Sequence, residues 1–222
     1  MFVKVCGITN EDDALLAVAM GADALGFIFS VESKRNVSVR TVRDIVSRLP
    51  TDVITVGVFR NESRQKVVDT VHDVGLRAAQ LHGVESCEDS RWIRSMVPMT
   101  IKAFVIGEPA MNDFDDYGAE LALVEGAKPG SGKVFDWSLA QNLPVRNRLL
   151  LAGGLDPDNV GDAIRRVRPF GVDVATGIES EPGQKDARKV TAFIKAAKAA
   201  GDEVRQSSYT AEDPPPFDWW NE

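Results

Sequence analysis

The sequence has little of several things. It has two cysteines and two histidines in 222 residues, aromatic residues make up 7%, and basic residues (26) are outnumbered by acidic ones (33). Two cysteines, Cys6 and Cys87, cannot build a disulfide framework, which favours a reducing cytoplasm. Two histidines without Cys-x-x-Cys or His-x-x-x-His spacing give no support to a metal site. No apolar run reaches the roughly 18–20 residues of a membrane-spanning helix. The opening Met1–Gly7 lacks the charged-then-apolar pattern of a secretory signal. A net charge of −7 speaks against nucleic acid held by bulk positive charge, though not against a local site for a small anion. These absences exclude whole classes and leave an ordinary globular composition, 44% hydrophobic and 27% charged.

What is present is a regular alternation. Eight short apolar runs, Val3–Cys6, Ala24–Phe29, Val53–Phe59, Arg77–Leu81, Thr100–Val105, Glu120–Val124, Leu149–Ala152 and Gly171–Ala175, mostly lack polar alternation, as parallel strands buried on both faces do. Amphipathic segments lie between them. One carries Ala14, Leu15, Val18 and Ala19 and ends at Gly21; another carries Val39, Val42, Ile45, Val46 and Leu49 and stops at Pro50. A third, Val67–Val74, ends at Gly75, a fourth opens with Asp156 as N-cap and Pro157 in its first turn, and a last one runs from Val190 to Gly201. Eight alternations spaced by roughly 24 residues predict a single-domain α/β fold of the closed (β/α)8 type, over residues 1–201. An open doubly wound sheet that binds dinucleotide would carry G-x-G-x-x-G after its first strand, and Cys6–Asn10 has no such turn. Residues 202–222, with Pro214–Pro216 and six acids against one arginine, break the pattern and read as a disordered tail holding most of the net charge; Trp219 and Trp220 are unusual there.

Barrel enzymes carry their chemistry at the C-terminal ends of the strands. That rule selects Cys6, the Ser33–Asn36 loop with Arg35, Gln80 and His82 after the fourth strand, Glu125 after the sixth, Gly153 and Gly154 after the seventh, and Asp173, Thr176 and Gly177 at the eighth. The glycine-bearing endings of strands 7 and 8 expose backbone N–H groups where barrels frequently bind phosphate, so the expected partner is a small phosphorylated substrate. A thiol at a barrel mouth can serve as base or nucleophile, and a carboxylate across the mouth as acid, a combination suited to moving protons in an isomerisation. Arg35 offers a fork of donors that fits a carboxylate. The residues alone leave open another sugar-phosphate isomerase or epimerase, and a barrel that binds a phosphorylated ligand without turnover.

Seven segments in order, Lys4–Asn10, Gly21–Phe27, Ser33–Ser38, Gln80–Gly83, Gly132–Trp137, Leu151–Leu155 and Arg168–Asp173, resemble the phosphoribosylanthranilate isomerase family of tryptophan biosynthesis. The resemblance implies an Amadori rearrangement without a cofactor; a cytoplasmic monomer or homodimer that binds neither nucleic acid nor membrane is the expectation alongside it. It implies Cys6 as general base and Arg35 as holder of the anthranilate carboxylate. Phosphate is expected around Gly153, Gly154, Thr176 and Gly177, and Gln80, His82 and Asp173 are expected to line the substrate site. Glu125 falls where the family carries an aspartate acid, the Gly126–Ser131 loop is short, and Ala175-Thr176 stands where a Ser-Ser pair is usual. One added methylene moves a carboxyl by about 1 Å, a displacement that can cost on the order of 100-fold in rate.

Overall fold

In the computed structural model, residues 1–126, 134–141, 143, 145 and 148–208 are described. Eight parallel strands close into one barrel in chain order: β1 (Phe2–Cys6), β2 (Ala24–Ile28), β3 (Ile54–Phe59), β4 (Ala78–Leu81), β5 (Thr100–Val105), β6 (Leu121–Glu125), β7 (Leu149–Leu151) and β8 (Gly171–Val174). All eight expected runs are strands, and β1 closes the ring on β8 with Lys4 opposite Asp173. The barrel places β1 and β6 three positions apart around the ring rather than diametrically opposed.

The outer layer follows local sequence chemistry. Helices α1 (Glu11–Ala19), α2 (Val39–Val46), α3 (Arg64–Val74) and α4 (Cys87–Met96) each start behind a polar cap, Asn10, Ser38, Ser63 and Ser86, whose side chain accepts a first-turn N–H. Pro109–Tyr117 and Trp137–Ala140 make short 3-10 stretches between β5 and β6 and between β6 and β7. Helices α5 (Val160–Val167) and α6 (Ala187–Ser208) complete the layer. Two differences from the sequence reading have local causes. Asp156 does not cap α5: its Oδ1 accepts from the N–H groups of Asp158 and Asn159, holding a separate turn, and α5 begins behind Asn159. Gly201 does not end α6. Good helix formers surround it, and the helix continues seven residues, with Gly201 lying so close to Met1 that an added Cβ would meet the Met1 Cβ at 2.3 Å. Trp219, Trp220 and the rest of the tail beyond Ser208 lie outside the described residues, as does most of the loop after Gly126.

Strand parity sorts the two cores. Val3, Val5, Leu25, Phe27, Val172 and Val174 face the helices, whereas Ala24, Ile54, Val56, Ile101, Leu121, Leu123 and Leu150 fill the barrel interior. Toward the C-terminal ends the interior turns polar, with Lys4, Cys6, Gln80, Glu125 and Asp173 all buried. The apolar layers therefore form a floor, and the titratable groups stand on it. No described helix is long and apolar enough to cross a membrane.

Candidate active site

Two clusters occupy the polar end. The first belongs to β1 and β8. Lys4 and Cys6, two residues apart, share one face of β1, and Lys4 Nζ donates to Asp173 Oδ1 at 2.8 Å. Lys4 has no exposed surface and Cys6 only 5%. Gly26 on β2 makes room for both, since a Cβ there would lie 2.7 Å from Cys6 Sγ and 3.0 Å from Lys4 Nζ. Burial pushes the Cys6 thiol up, with Lys4 pulling against it and Asp173 pushing the same way as burial. For Lys4, burial works against the charge, but Asp173 and Cys6 outweigh it and hold the ammonium above its ordinary range.

The second cluster belongs to β4 and β6. His82 Nε2 lies 2.5 Å from Glu125 Oε1, and Gln80 Nε2 lies 2.8 Å from His82 Nδ1. With the Gln80 amide so turned, it donates to Nδ1, and a neutral imidazole carries its proton on Nε2, facing Glu125. Glu125 Oε2 meets no donor among the described residues. A cavity of about 430 Å³ opens here, lined by Arg60, His82, Val84, Phe104 and Glu125. Gln80 is fully buried, so its amide meets His82 rather than the cavity, and Asp173 gives its carboxylate to Lys4. Both were expected to line the substrate site; the structure shows their partners within the chain, His82 for Gln80 and Lys4 for Asp173.

Arg35 has a carboxylate partner within the chain. The loop after β8 folds as a hairpin, β9 (Glu179–Glu181) against β10 (Gln184–Lys185), with Gly183 at φ +90° in the turn. This hairpin delivers Glu179 to Arg35: Nε donates to Oε1 at 2.7 Å and Nη2 to Oε2 at 2.6 Å. Nη2 also donates to Thr176 Oγ1 at 3.0 Å. The fork is thus already occupied by a carboxylate of the chain itself, while Nη1 meets no acceptor among the described residues. The hydrogen bonds to Glu179 hold the Arg35 guanidinium above its usual range. Lys185 Nζ donates to Glu179 Oε1 at 3.2 Å and to the carbonyls of Cys6, at 2.7 Å, and Ala175, at 3.3 Å. Burial pushes the Lys185 ammonium down, against the pull of Glu179.

Gly153 and Gly154 adopt φ of +84° and +72°, which few other residues tolerate, and so turn the chain sharply at the end of β7. The β8 loop closes on them, with the Gly177 Cα so near Leu155 that an added Cβ would sit 2.0 Å from its carbonyl oxygen. Gly177 begins no α-helix; Thr176–Ile178 is a single 3-10 turn.

The sequence reading omitted Lys4, Glu179 and Lys185. A lysine inside the first apolar run, at the same parity as Cys6, was the available signal for one. The Pro182-Gly183 turn between polar residues was the signal for the other two. His72, on α3, is exposed and bonded to the Met96 carbonyl at 2.9 Å, and Cys87 opens α4, so neither belongs to the mouth. Among the described residues no group of three His, Cys, Asp or Glu side chains could hold a metal ion.

A single barrel with a thiol and a carboxylate on its catalytic rim falls in the class of (β/α)8 enzymes that work by acid–base chemistry. Its sequence relatives narrow the class: a family model described as N-(5'-phosphoribosyl)anthranilate (PRA) isomerase matches residues 3–196. The isomerase of that description from Thermotoga neapolitana is 46% identical over 203 residues, covering 88% of this chain and 98% of the relative. The chain belongs to the N-(5'-phosphoribosyl)anthranilate isomerase family. The crystal structure of the Thermus thermophilus phosphoribosyl anthranilate isomerase superposes with a TM-score of 0.84 at 38% identity, over 90% of this chain and 99% of that one. Another solved phosphoribosyl anthranilate isomerase, in complex with reduced 1-(o-carboxyphenylamino)-1-deoxyribulose 5-phosphate, superposes with a TM-score of 0.80 at 44% identity, over 90% and 99% of the two chains.

Proposed function

We propose that the chain isomerises N-(5'-phosphoribosyl)anthranilate to 1-(2-carboxyphenylamino)-1-deoxyribulose 5-phosphate with Cys6 as general base and Glu125 as general acid. Family membership carries the reaction. The observation that carries the roles is the placement of these two groups at the interior, C-terminal ends of β1 and β6. Glu125 protonates the ribose ring oxygen as the anilino nitrogen lone pair expels the C1′–O bond, giving an open imine. The Cys6 thiolate then takes the C2′ proton. The C–H electrons form the C1′=C2′ bond, the imine electrons return to nitrogen, and the resulting enolamine tautomerises to the ketone. C2′ is oxidised and C1′ reduced, so the step balances within the substrate.

His82 holds the Glu125 carboxylate from one side and leaves Oε2 for the substrate. This brace bears on the extra methylene relative to aspartate: a longer acid works if its reach is fixed by a partner. Arg35 offers Nη1 to the anthranilate carboxylate, in a plane set by Glu179. Gly153, Gly154, Thr176 and Gly177 supply the phosphate end through backbone N–H groups, which survive the Ala175-Thr176 departure. The test is turnover of freshly generated substrate, followed by loss of its anthranilate fluorescence. Wild-type protein turns over and Cys6→Ser loses about 100- to 10,000-fold in kcat, the range for removing a general base. No turnover by the wild type overturns the reaction, and an active Cys6→Ser overturns the base.

A further inference from the structure

We infer that Lys4 and Asp173 are a buried charge pair that positions the proton of the Cys6 thiol, Lys4 favouring the thiolate and Asp173 holding Lys4 in check. The inference rests on the reading of Cys6 as base and extends it to two interior residues of β1 and β8. The geometry is strict. β1 and β8 are neighbours in register, so Lys4 and Asp173 face each other across the closing seam of the barrel. Their side chains meet at 2.8 Å with Lys4 wholly buried. Gly26 leaves one space into which both Nζ and Sγ project, so the two atoms are no further apart than the sum of their distances to it. A buried ammonium needs an anion close by, and two are within reach, the carboxylate and the thiolate.

Those two anions compete. With Asp173 ionised, Lys4 is already neutralised and the thiol keeps its proton in the empty barrel, which shields a buried cysteine from oxidation. Taking the carboxylate away leaves Lys4 with the sulfur as its remaining anion. Taking the ammonium away leaves a carboxylate facing a thiol, and ionising the thiol would then bury two like charges. The other charged groups facing Cys6 are already committed. Lys185 from β10 binds the Cys6 carbonyl and Glu179, and Arg35 from the loop after β2 is held by Glu179, so their charges are largely offset by Glu179.

The two substitutions therefore move the thiol in opposite directions, a result that loosened packing does not give. In a Cys87→Ser background, with Cys6 the single thiol, the rate of alkylation by iodoacetamide is measured against pH for the parent, Lys4→Met and Asp173→Asn. Asp173→Asn moves the midpoint to lower pH and Lys4→Met to higher pH, each by about 1–3 units, the range for a close charge. Lys4→Met strands a buried carboxylate, so the double variant Lys4→Gln/Asp173→Asn, which keeps a neutral hydrogen-bonded pair, gives a folded control with its midpoint between the two. The acid limb of kcat/KM for the isomerisation is recorded on the same proteins. Parallel movement of both profiles supports the pair and the base together. Movement of the alkylation profile alone keeps the pair and overturns Cys6 as base. Midpoints within 0.3 units of the parent (about 0.4 kcal/mol at 1.36 kcal/mol per unit) or moving in the same direction overturn the inference.

Discussion

Glu179 grips Arg35 through both Nε and Nη2, and Lys185 grips Glu179 and the Cys6 carbonyl, so one carboxylate ties Arg35 to the strand that carries Cys6. Burial alone would raise the Glu179 carboxyl, yet Arg35 and Lys185 hold it below its ordinary range. If Arg35 receives the anthranilate carboxylate through Nη1, its plane depends on this grip. Glu179→Gln keeps the shape and removes the charge; the expected outcome in steady-state kinetics is a KM raised about tenfold or more with kcat changed far less, the size of a lost charged hydrogen bond. A fall in kcat at constant KM would contradict the positioning role. At this scale the sequence shows which residues reach the rim, because strand parity and strand ends are legible in it. It does not show which of them are spoken for by one another. Asp173 and Gln80 read from sequence as rim residues, and only the closed barrel shows that Asp173 meets Lys4 and Gln80 meets His82.

Elements decide how firmly the rim is held. The loop leaving β4 carries His82, and beneath it Lys102 from β5 donates to Glu85 Oε2 at 2.9 Å and to the Gly83 carbonyl at 2.7 Å. Glu85 in turn accepts from the N–H groups of Gly83 and Asn61, both at 2.9 Å. Against the upward push of burial, Lys102 and the Asn61 N–H hold the Glu85 carboxyl below its usual range. A carboxylate lowered in the folded state stabilises the protein above its unfolded value, and that stability is lost as pH falls through the folded one. Lys102→Met reverses the sign by leaving a buried, uncompensated carboxylate. Chemical denaturation at pH 7 is expected to show a loss of about 3–5 kcal/mol that shrinks as the pH drops and Glu85 takes up a proton. A loss independent of pH would point to packing instead. The elements themselves were largely legible, all eight strands and the first three helices from periodicity and their caps. The β9–β10 hairpin was not, because the seven residues from Glu179 to Lys185 are polar or turn-forming and have no apolar period to reveal them. Nor was the passage of α6 through Gly201, where propensity loses to packing on Met1.

As a whole, the molecule is an apolar-floored barrel with a polar rim, and the two groups proposed to handle protons, Cys6 and Glu125, lie 119 residues apart in sequence. Only the closed ring brings β1 and β6 to a common mouth, so the chemistry is a property of the complete barrel. In the proposed assignment the phosphate end belongs to β7 and β8; the thiol belongs to β1, the carboxylate to β6 and its His82 partner to the loop after β4. Glu125 is where the chain departs from the aspartate of its resemblance, and the account turns on it acting as the acid while held by His82. The direct measurement is kcat of Glu125→Gln on freshly generated substrate, beside Glu125→Asp and with KM determined for both. Glu125→Gln should lose about 100- to 10,000-fold in kcat with KM little changed, and Glu125→Asp, which retains a carboxyl, should keep far more activity than Glu125→Gln. A Glu125→Gln protein turning over at the wild-type rate would contradict the account.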